Sequence, residues 1–219
     1  MTGIASGQRL NKPTHFVRIV GTKNNTSLTY QPSPAAISGT AAASANSGGV
    51  VVFETQTPFH LTSSDPVLVS MYMEGSANYG SGQLNGDPAQ SVAVATGQFR
   101  TNYAFTAPST YYINWVTVIA PTGNTVTIDT TTIPSASFTA IGTSGYGYYH
   151  YQICSGNCGG VSANHTASSA VPFGIQVYGY GSYTSYWYPG GLNLTRGGPF
   201  RARVSVGTYG GAKAKPGSQ

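Results

Sequence analysis

Apolar and polar residues alternate with a period of two along most of the chain, which is typical of strands with one face in a core. In the clearest run, Phe173, Ile175 and Val177 alternate with small or polar residues, which predicts a half-buried strand. Similar runs predict strands at Val50–Glu54, Phe59–Ser63, Val67–Met73, Ser91–Ala95, Thr101–Phe105, Tyr111–Ile119, Thr125–Asp129, Ser137–Ile141, Tyr148–Ile153, Val161–His165, Leu192–Thr195 and Arg201–Val206. Gly and Pro interrupt every longer window, so we expect no helix beyond a turn or two.

The segment Phe16–Tyr30 consists of two alternating runs separated by Lys23-Asn24-Asn25. Polar turn residues between two such runs predict a β-hairpin. The segment that follows, Pro32–Gly49, is rich in Ala, Ser and Gly and predicts a long loop.

Three sequence blocks recur in the same order, which predicts an internal repeat. The aligned blocks are Phe16–Val20 with Trp115–Ile119, His60–Ser64 with His165–Ser169, and Pro66–Ser76 with Pro172–Ser182. The repeat favours an all-β fold of two duplicated antiparallel β-sandwich-like units, of jelly-roll or immunoglobulin-like type. The predicted divisions are an N-terminal arm (1–13), unit 1 (14–90), connecting strands (91–112), unit 2 (113–195) and a basic, Gly-rich C-terminal tail (196–219).

Charged residues make up only 7% of the chain, against roughly 25% in ordinary soluble domains. The net charge of +5 arises because acids are scarce, and half of the basic residues lie near the C-terminus. The body lacks the clustered bases of a nucleic-acid surface, so we expect no nucleic-acid partner.

No apolar run is long enough to predict membrane insertion. The first residues lack the regions of a signal peptide, so we expect the chain to be an excised mature domain.

The two cysteines, Cys154 and Cys158, are separated by three residues. Two thiolates are too few for a structural zinc site, so the spacing favours a disulfide across a turn. A disulfide would indicate an oxidising compartment, and two free thiols are the alternative.

The sequence contains few residues and motifs suited to catalysis. The chain has five acidic residues with no recognisable pair, and it lacks GxSxG and HExxH motifs. The four histidines are scattered; they are His15, His60, His150 and His165. For the repeat-equivalent His60 and His165, we expect each ring to hydrogen-bond a neighbouring backbone group rather than a metal. The sequence therefore predicts no enzyme, no metal site and no cofactor.

Aromatic residues are the side chains best suited to form a binding surface. Six of the eleven residues from Tyr178 to Tyr188 are aromatic. Tyrosine among Ser and Gly is typical of antibody paratopes, and flat rings also suit sugars. The predicted binding residues are Tyr180, Tyr183, Tyr186, Trp187 and Tyr188. Trp187 and Tyr188 precede Pro189-Gly190, so we expect them to be exposed at a loop. The alternative is that these rings cover the sheet as cross-strand pairs.

Several short motifs between Phe16 and Leu194 resemble those of the IgGFc-binding protein N-terminal domain family. They are Pro66-Val-Leu-Val, Gly86-Asp87-Pro88, Gln98-Phe99, Tyr103-Ala-Phe105, Phe173-Gly-Ile-Gln-Val-Tyr-Gly-Tyr, Ser185-Tyr186 and Pro189-Gly190. The resemblance implies a bacterial-type secreted or cell-surface β domain, often part of larger adhesive proteins, with no catalytic residues.

Two functions follow from these observations. The first is a non-catalytic extracellular or cell-surface binding or adhesion module, whose partner is a protein or a glycan. The second is a structural subunit of a filament, capsid or surface layer, in which copies of the chain associate as a homo-oligomer through the N- and C-terminal arms.

Overall fold

The computed structural model describes residues 14–38, 40–74, 86–156, 158–194 and 203–206. The predicted all-β class is confirmed: the described part of the chain forms antiparallel sheets, with one short helix (α1) and two single 3-10 turns, Thr96–Gln98 and Ser135–Ser137. The elements are β1 (His15–Gly21), β2 (Thr26–Gln31), α1 (Pro34–Ile37), β3 (Ser44–Ala45), β4 (Val50–Thr55), β5 (Phe59–Ser63), β6 (Val67–Met73), β7 (Gln90–Val92), β8 (Arg100–Thr106), β9 (Ile113–Pro121), β10 (Val126–Ile128), β11 (Thr131–Ile133), β12 (Thr139–Ala140), β13 (Tyr146–Ser155), β14 (Asn164–Gly181), β15 (Thr184–Pro189) and β16 (Arg203–Val206).

Two four-stranded sheets enclose the first core. Their orders are β4-β1-β6-β7 and β16-β5-β2-β3. The inward residues of β1, such as Val17 and Ile19, pack with Phe59 and Leu61 of β5, and all four are fully buried. Burial of such apolar area is the main force that holds the two sheets together.

The turn around Asn25 does not form the predicted hairpin. Strand β1 pairs with β4 and β6, whereas β2 pairs with β3 and β5, so the turn crosses from one sheet to the other. Alternation shows which side of a strand faces the core, but it does not show which strand lies beside it. Both runs face the same core from opposite layers, so the pattern fits a crossing turn as well as a hairpin.

Strand β14 is the centre of the second half of the fold. It was predicted as two strands, but one strand runs from Asn164 to Gly181 and changes partners near Pro172. Its first part pairs with β8 and β10, and its second part pairs with β9 and β15. Proline has no N–H for a ladder, and here it falls where the register is interrupted.

The second part of β14 is buried on both faces, so the prediction of a half-buried strand is wrong. Phe173, Ile175 and Val177 face a second core, which includes residues of β8, β9, β10 and β11. On the opposite face, Tyr178 and Tyr180 pack into the first core. These two tyrosines, which were part of the predicted outer surface, therefore join the two halves of the molecule.

The two halves have the same order of strand partners. The order β4-β1-β6-β7 corresponds to β13-β9-β14-β15, and β16-β5-β2-β3 corresponds to β8-β14-β10-β11. Strand β16 lies within the predicted tail and pairs with β5 of the first half. Duplication and the proposed domain boundaries stay predictions.

The two aligned histidines point to opposite sides of their strands. His165 lies on the same side as Ala167, which is in the second core, whereas His60 lies on the side opposite to Leu61 of the first core. The alignment of this block is therefore offset by one residue from the pattern of inward-facing side chains.

The segment that follows β15 also differs from the prediction. Residues 192–194 are not a strand, because β15 ends at Pro189 and Gly191, with a φ of 138°, turns the backbone away. The predicted N-terminal arm and the residues after Val206 lie outside the described residues. No helix in the described part of the chain has both the length and the hydropathy needed to cross a membrane.

Candidate binding site

The five predicted binding residues differ widely in exposure. Tyr183 is 68% exposed, whereas Tyr180 is 1% and Trp187 is 5% exposed. Tyr186 and Tyr188 are half-buried against the second core. Only Tyr183 presents most of its side chain to solvent, so the role of the other four in binding stays a prediction.

Trp187 does not lie at an exposed loop as expected. It lies within β15 opposite Tyr178, and its ring packs edge-on against His15 with 6.2 Å between ring centroids. Strand β15 extends the sheet beside β14, so alternate side chains along it must enter the first core. The Pro189-Gly190 turn begins only after the strand has placed this ring inside.

Tyr183 lies at the tip of the β14–β15 hairpin. Its φ of 53° is in the left-handed region, which non-glycine residues seldom adopt outside tight turns. The turn reverses the chain between Gly181 and Thr184, which face each other in the ladder. The side chain of Tyr183 therefore projects from a short, closed turn.

The predicted disulfide between Cys154 and Cys158 is confirmed, and it lies beside this hairpin tip. The N–H of Gly156 donates to the carbonyl of Tyr112 at 2.9 Å, and the N–H of Tyr112 donates to the carbonyl of Tyr180 at 3.0 Å. We call the surface formed by residues 109–112, Gly156, Cys158 and residues 181–184 the disulfide end. It contains an open cleft of about 640 Å³.

One buried amide ties the parts of the disulfide end together. Asn114 is 0% exposed, and its Oδ1 atom accepts a hydrogen bond of 2.7 Å from the hydroxyl of Tyr186. Its Nδ2 atom lies 3.1 Å from the Pro108 carbonyl and 3.2 Å from Cys154 Sγ, both of which can accept. The strands β9 and β15, the 108–112 loop and the disulfide thus share one hydrogen-bonded centre.

The half-buried tyrosines hold this region in place. Burial raises the pKa of Tyr186, with smaller contributions from Tyr188, Tyr111 and Tyr178, so its phenol stays a neutral donor to Asn114. The ring of Tyr186 packs edge-on against Tyr111 at 4.7 Å between ring centroids. The hydroxyl of Tyr188 donates to the carbonyl of Thr106 at 2.5 Å and accepts from its N–H at 3.0 Å.

A second opening, which was not predicted from the sequence, lies along the outer edge of β13. We call it the β13 groove. It has a volume of about 520 Å³ and is lined by Trp115, Ser137, Thr139 and residues 148–152. Burial lowers the pKa of His150 to about 4, so its ring is neutral at pH 7, and Nδ1 lies 2.8 Å from Thr117 Oγ1.

Two further histidine contacts are structural. His60 Nδ1 lies 2.7 Å from Ser205 Oγ, a side-chain hydroxyl rather than the predicted backbone group. His165 Nδ1 lies 2.8 Å from Asp129 Oδ2, so this ring bonds a carboxylate rather than the predicted backbone group. Asp129 Oδ1 also accepts from the Thr166 N–H at 2.9 Å, and this side chain thereby joins the end of β10 to β14. No group of three His, Cys, Asp or Glu residues suited to a metal ion occurs among the residues described.

Comparison with known proteins gives one match. A family model described as IgGFc binding protein matches residues 3–179, which is more than half of the chain. The search of curated proteins found no match, and neither did the search of solved structures.

Proposed function

Because the chain belongs to the IgGFc-binding protein family, we propose that it is a non-catalytic extracellular module that binds a protein partner through its disulfide end. The family is a binding family rather than an enzymatic one, and its name implies a protein ligand. The Cys154–Cys158 disulfide fits an extracellular protein, since such bonds persist in oxidising surroundings.

The observation that carries this proposal is the exposed ring of Tyr183 on a rigid support. The cleft at the same hairpin is lined by Tyr111 and Tyr112, together with Ser109, Thr110, Ser182 and Thr184. Tyrosine among small polar residues gives a large contact area at a low cost in conformational entropy. The disulfide and Asn114 hold the neighbouring loops before a partner arrives, which reduces the ordering cost of binding.

In this account the predicted aromatic residues have different roles. Tyr183 contacts the partner, whereas Tyr186 and Tyr188 hold β15 through hydrogen bonds to Asn114 and to the backbone of Thr106. Tyr180 and Trp187 anchor the hairpin in the first core. Hot-spot tyrosines of this kind are surrounded by contacts that exclude water.

Binding to immobilised proteins tests the proposal. We would measure the affinity of the wild-type chain for the Fc and Fab fragments of IgG and for a mucin, before and after enzymatic removal of their glycans. Tyr183→Ala should weaken the bound probe by about 2 kcal/mol or more, as at a hot spot. Tyr72→Ala, which alters a tyrosine of strand β6 in the first sheet, is the matched control.

Three outcomes decide between the possibilities. Loss of affinity in Tyr183→Ala alone supports the proposal, and loss of binding when the glycans are removed identifies a glycan ligand instead. A chain that binds none of these probes, or that binds equally well with Ala at position 183, contradicts it.

A second candidate function, assembly from copies of the chain, is favoured by one feature of the first sheet. Of the eight large hydrophobic side chains exposed in the described residues, five lie on the outer face of β4-β1-β6-β7: Phe16, Val50, Val52, Leu68 and Val92. Arg18 and Glu54 lie on the same face, on adjacent strands. A two-fold axis that passes between these two side chains would place Arg18 of one protomer on Glu54 of its partner.

Light scattering during size-exclusion chromatography tests this second candidate. If this face joins two copies, Val52→Lys should convert dimers to monomers, because it buries a charge without a partner. Tyr183→Ala should leave the dimer unchanged. A wild-type chain that is monomeric at every concentration contradicts assembly through this face.

A further inference from the structure

Among the described residues, only a small part of the outer edge of β13 has a neighbouring strand. Strand β9 pairs with the inner edge from Tyr146 to Ser155. On the outer edge, β12 pairs only with Gly147 and Tyr148. Residues before β12 turn away into the Ser135–Ser137 3-10 turn, and the β13 groove opens where they diverge.

The direction of the backbone groups along β13 follows from one hydrogen bond. The N–H of Ile141 donates to the carbonyl of Tyr146 at 2.9 Å, so the backbone of Tyr146 points toward the outer edge. In an antiparallel ladder, successive residues point alternately to opposite edges. The backbones of His150 and Gln152 therefore point outward, and those of Tyr149 and Tyr151 point toward β9.

These outward groups have no backbone partner in the described part of the chain. Within residues 14–38, 40–74, 86–156, 158–194 and 203–206, the N–H and carbonyl groups of His150 and Gln152 form no backbone hydrogen bond on the side away from β9. Two donors and two acceptors are thus arranged at the spacing of a strand. Their chemistry matches the backbone of another extended chain better than it matches a small rigid ligand.

The side chains that line the β13 groove are uncharged and aromatic or polar, so they suit an uncharged polypeptide. Trp115 and Tyr148 flank one face of the strand, and Tyr149 and Tyr151 flank the other. None of the lining residues is Asp, Glu, Lys or Arg, and the His150 ring is neutral at pH 7. Natural edge strands are usually blocked by lysine, proline or a covering segment, and the edge from Tyr149 to Gln152 has no lysine or proline.

We propose that the β13 groove binds an extended, uncharged polypeptide segment, which adds to the sheet as a strand and bonds to the backbones of His150 and Gln152. Apolar or aromatic side chains of the segment pack against the tyrosines on either face of β13. This site is distinct from the contact surface around Tyr183.

Two substitutions at one position test the backbone contact. Gln152→Pro removes the outward N–H and leaves the ladder to β9 intact, because a proline is tolerated on the open side of an edge strand. Gln152→Ala removes the same side chain and keeps the N–H. The probe is a displayed library of random peptides, selected on the wild-type chain.

Enriched peptides should bind wild type and Gln152→Ala with similar affinity and bind Gln152→Pro about tenfold more weakly, as expected for one lost backbone hydrogen bond. Tyr183→Ala should leave their affinity unchanged. Should Gln152→Pro fail to fold, peptides methylated at alternate backbone nitrogens provide the same test on the unaltered chain. One of the two methylation patterns should abolish binding.

Amide hydrogen exchange followed by NMR gives an independent readout. In the free chain, the amides of His150 and Gln152 should exchange quickly, whereas those of Tyr149 and Tyr151 should be protected by β9. Bound peptide should slow the exchange of the His150 and Gln152 amides.

Absence of enriched peptides would overturn the proposal. The proposal would also be overturned if the peptides bound Gln152→Pro as tightly as wild type. The same holds if bound peptide slowed hydrogen exchange at amides other than those of His150 and Gln152. Peptides that are lost with Tyr183→Ala but retained by Gln152→Pro would place binding at the disulfide end instead, which supports the proposed function and overturns this one.

Discussion

The hydroxyl of Tyr186 donates a hydrogen bond of 2.7 Å to Oδ1 of Asn114, a side chain with no exposed surface. The two residues belong to different strands, β15 and β9, which lie on either side of β14. Since Asn114 also reaches Cys154 Sγ, this bond connects the hairpin tip to the disulfide. Buried networks of this kind restrict a region to a single arrangement when every member is satisfied.

Replacing Tyr186 with Phe should therefore destabilise the fold by about 1–3 kcal/mol, because Asn114 Oδ1 is left buried without its donor. Urea denaturation measures the change. Tyr111→Phe is the matched control, since its hydroxyl makes an exposed contact of 3.3 Å with Thr184 Oγ1. If the free energy of unfolding falls by the same small amount in both variants, the network is not important for stability.

Gly179 permits the close approach of Tyr186 and Asn114. A Cβ at this position would lie 2.5 Å from both Asn114 Oδ1 and Tyr186 Cε1, and 2.8 Å from the carbonyl oxygen of Ile113. Gly179→Ala should cost about 1–3 kcal/mol through overpacking. Gly97→Ala, where a Cβ meets nothing within 4 Å, should have little effect. Similar thermal midpoints for the two variants would contradict this packing.

Replacing both Cys154 and Cys158 with serine should cost about 2 kcal/mol, at the low end for disulfides, because the enclosed loop is short. Urea denaturation of the double variant measures the loss. Intact mass after alkylation without reductant checks the bond itself in the wild-type chain. Two alkylated cysteines under those conditions would show that the bond does not form.

Acid should destabilise the chain through His150. Burial holds the folded-state pKa at about 4, below the ordinary 6.5, so the unfolded state takes up a proton first. The neutral His150 ring contributes at most about 3 kcal/mol to the free energy of unfolding. This contribution is complete above pH 6.5 and is lost as the pH falls toward 4. Unfolding of wild type and His150→Asn across this range measures it. An NMR titration that gives His150 an ordinary pKa would contradict the explanation.

The fold class could be predicted from the sequence because alternation reports directly on which residues are buried. Partners could not be predicted in the same way: the runs on either side of Asn25 alternate as a hairpin would, yet they lie in different sheets. The pattern of β14 was also ambiguous. A strand with Phe, Ile and Val on one face and Tyr on the other has the same alternation whether the tyrosines meet water or a second core.

The candidate site was predicted only in part. Tyr183 and the disulfide were both identified, but nothing in the sequence showed that residues 109–112 would bring them together. The burial of Tyr180 and the half-burial of Tyr186 and Tyr188 could not be predicted, because tyrosine suits both an interior with a hydrogen-bond partner and an exposed surface. The β13 groove depends on where β12 stops pairing, and a two-residue strand leaves no clear signal in a sequence.

Binding through the disulfide end is tested most directly by a hydrogen-exchange footprint of the chain bound to the probe protein that it captures. We expect slower exchange at residues 109–112 and 181–184, and we expect Tyr183→Ala to remove both the footprint and the affinity. Protection confined to the outer face of the first sheet, with residues 109–112 and 181–184 unchanged, would contradict binding through the disulfide end.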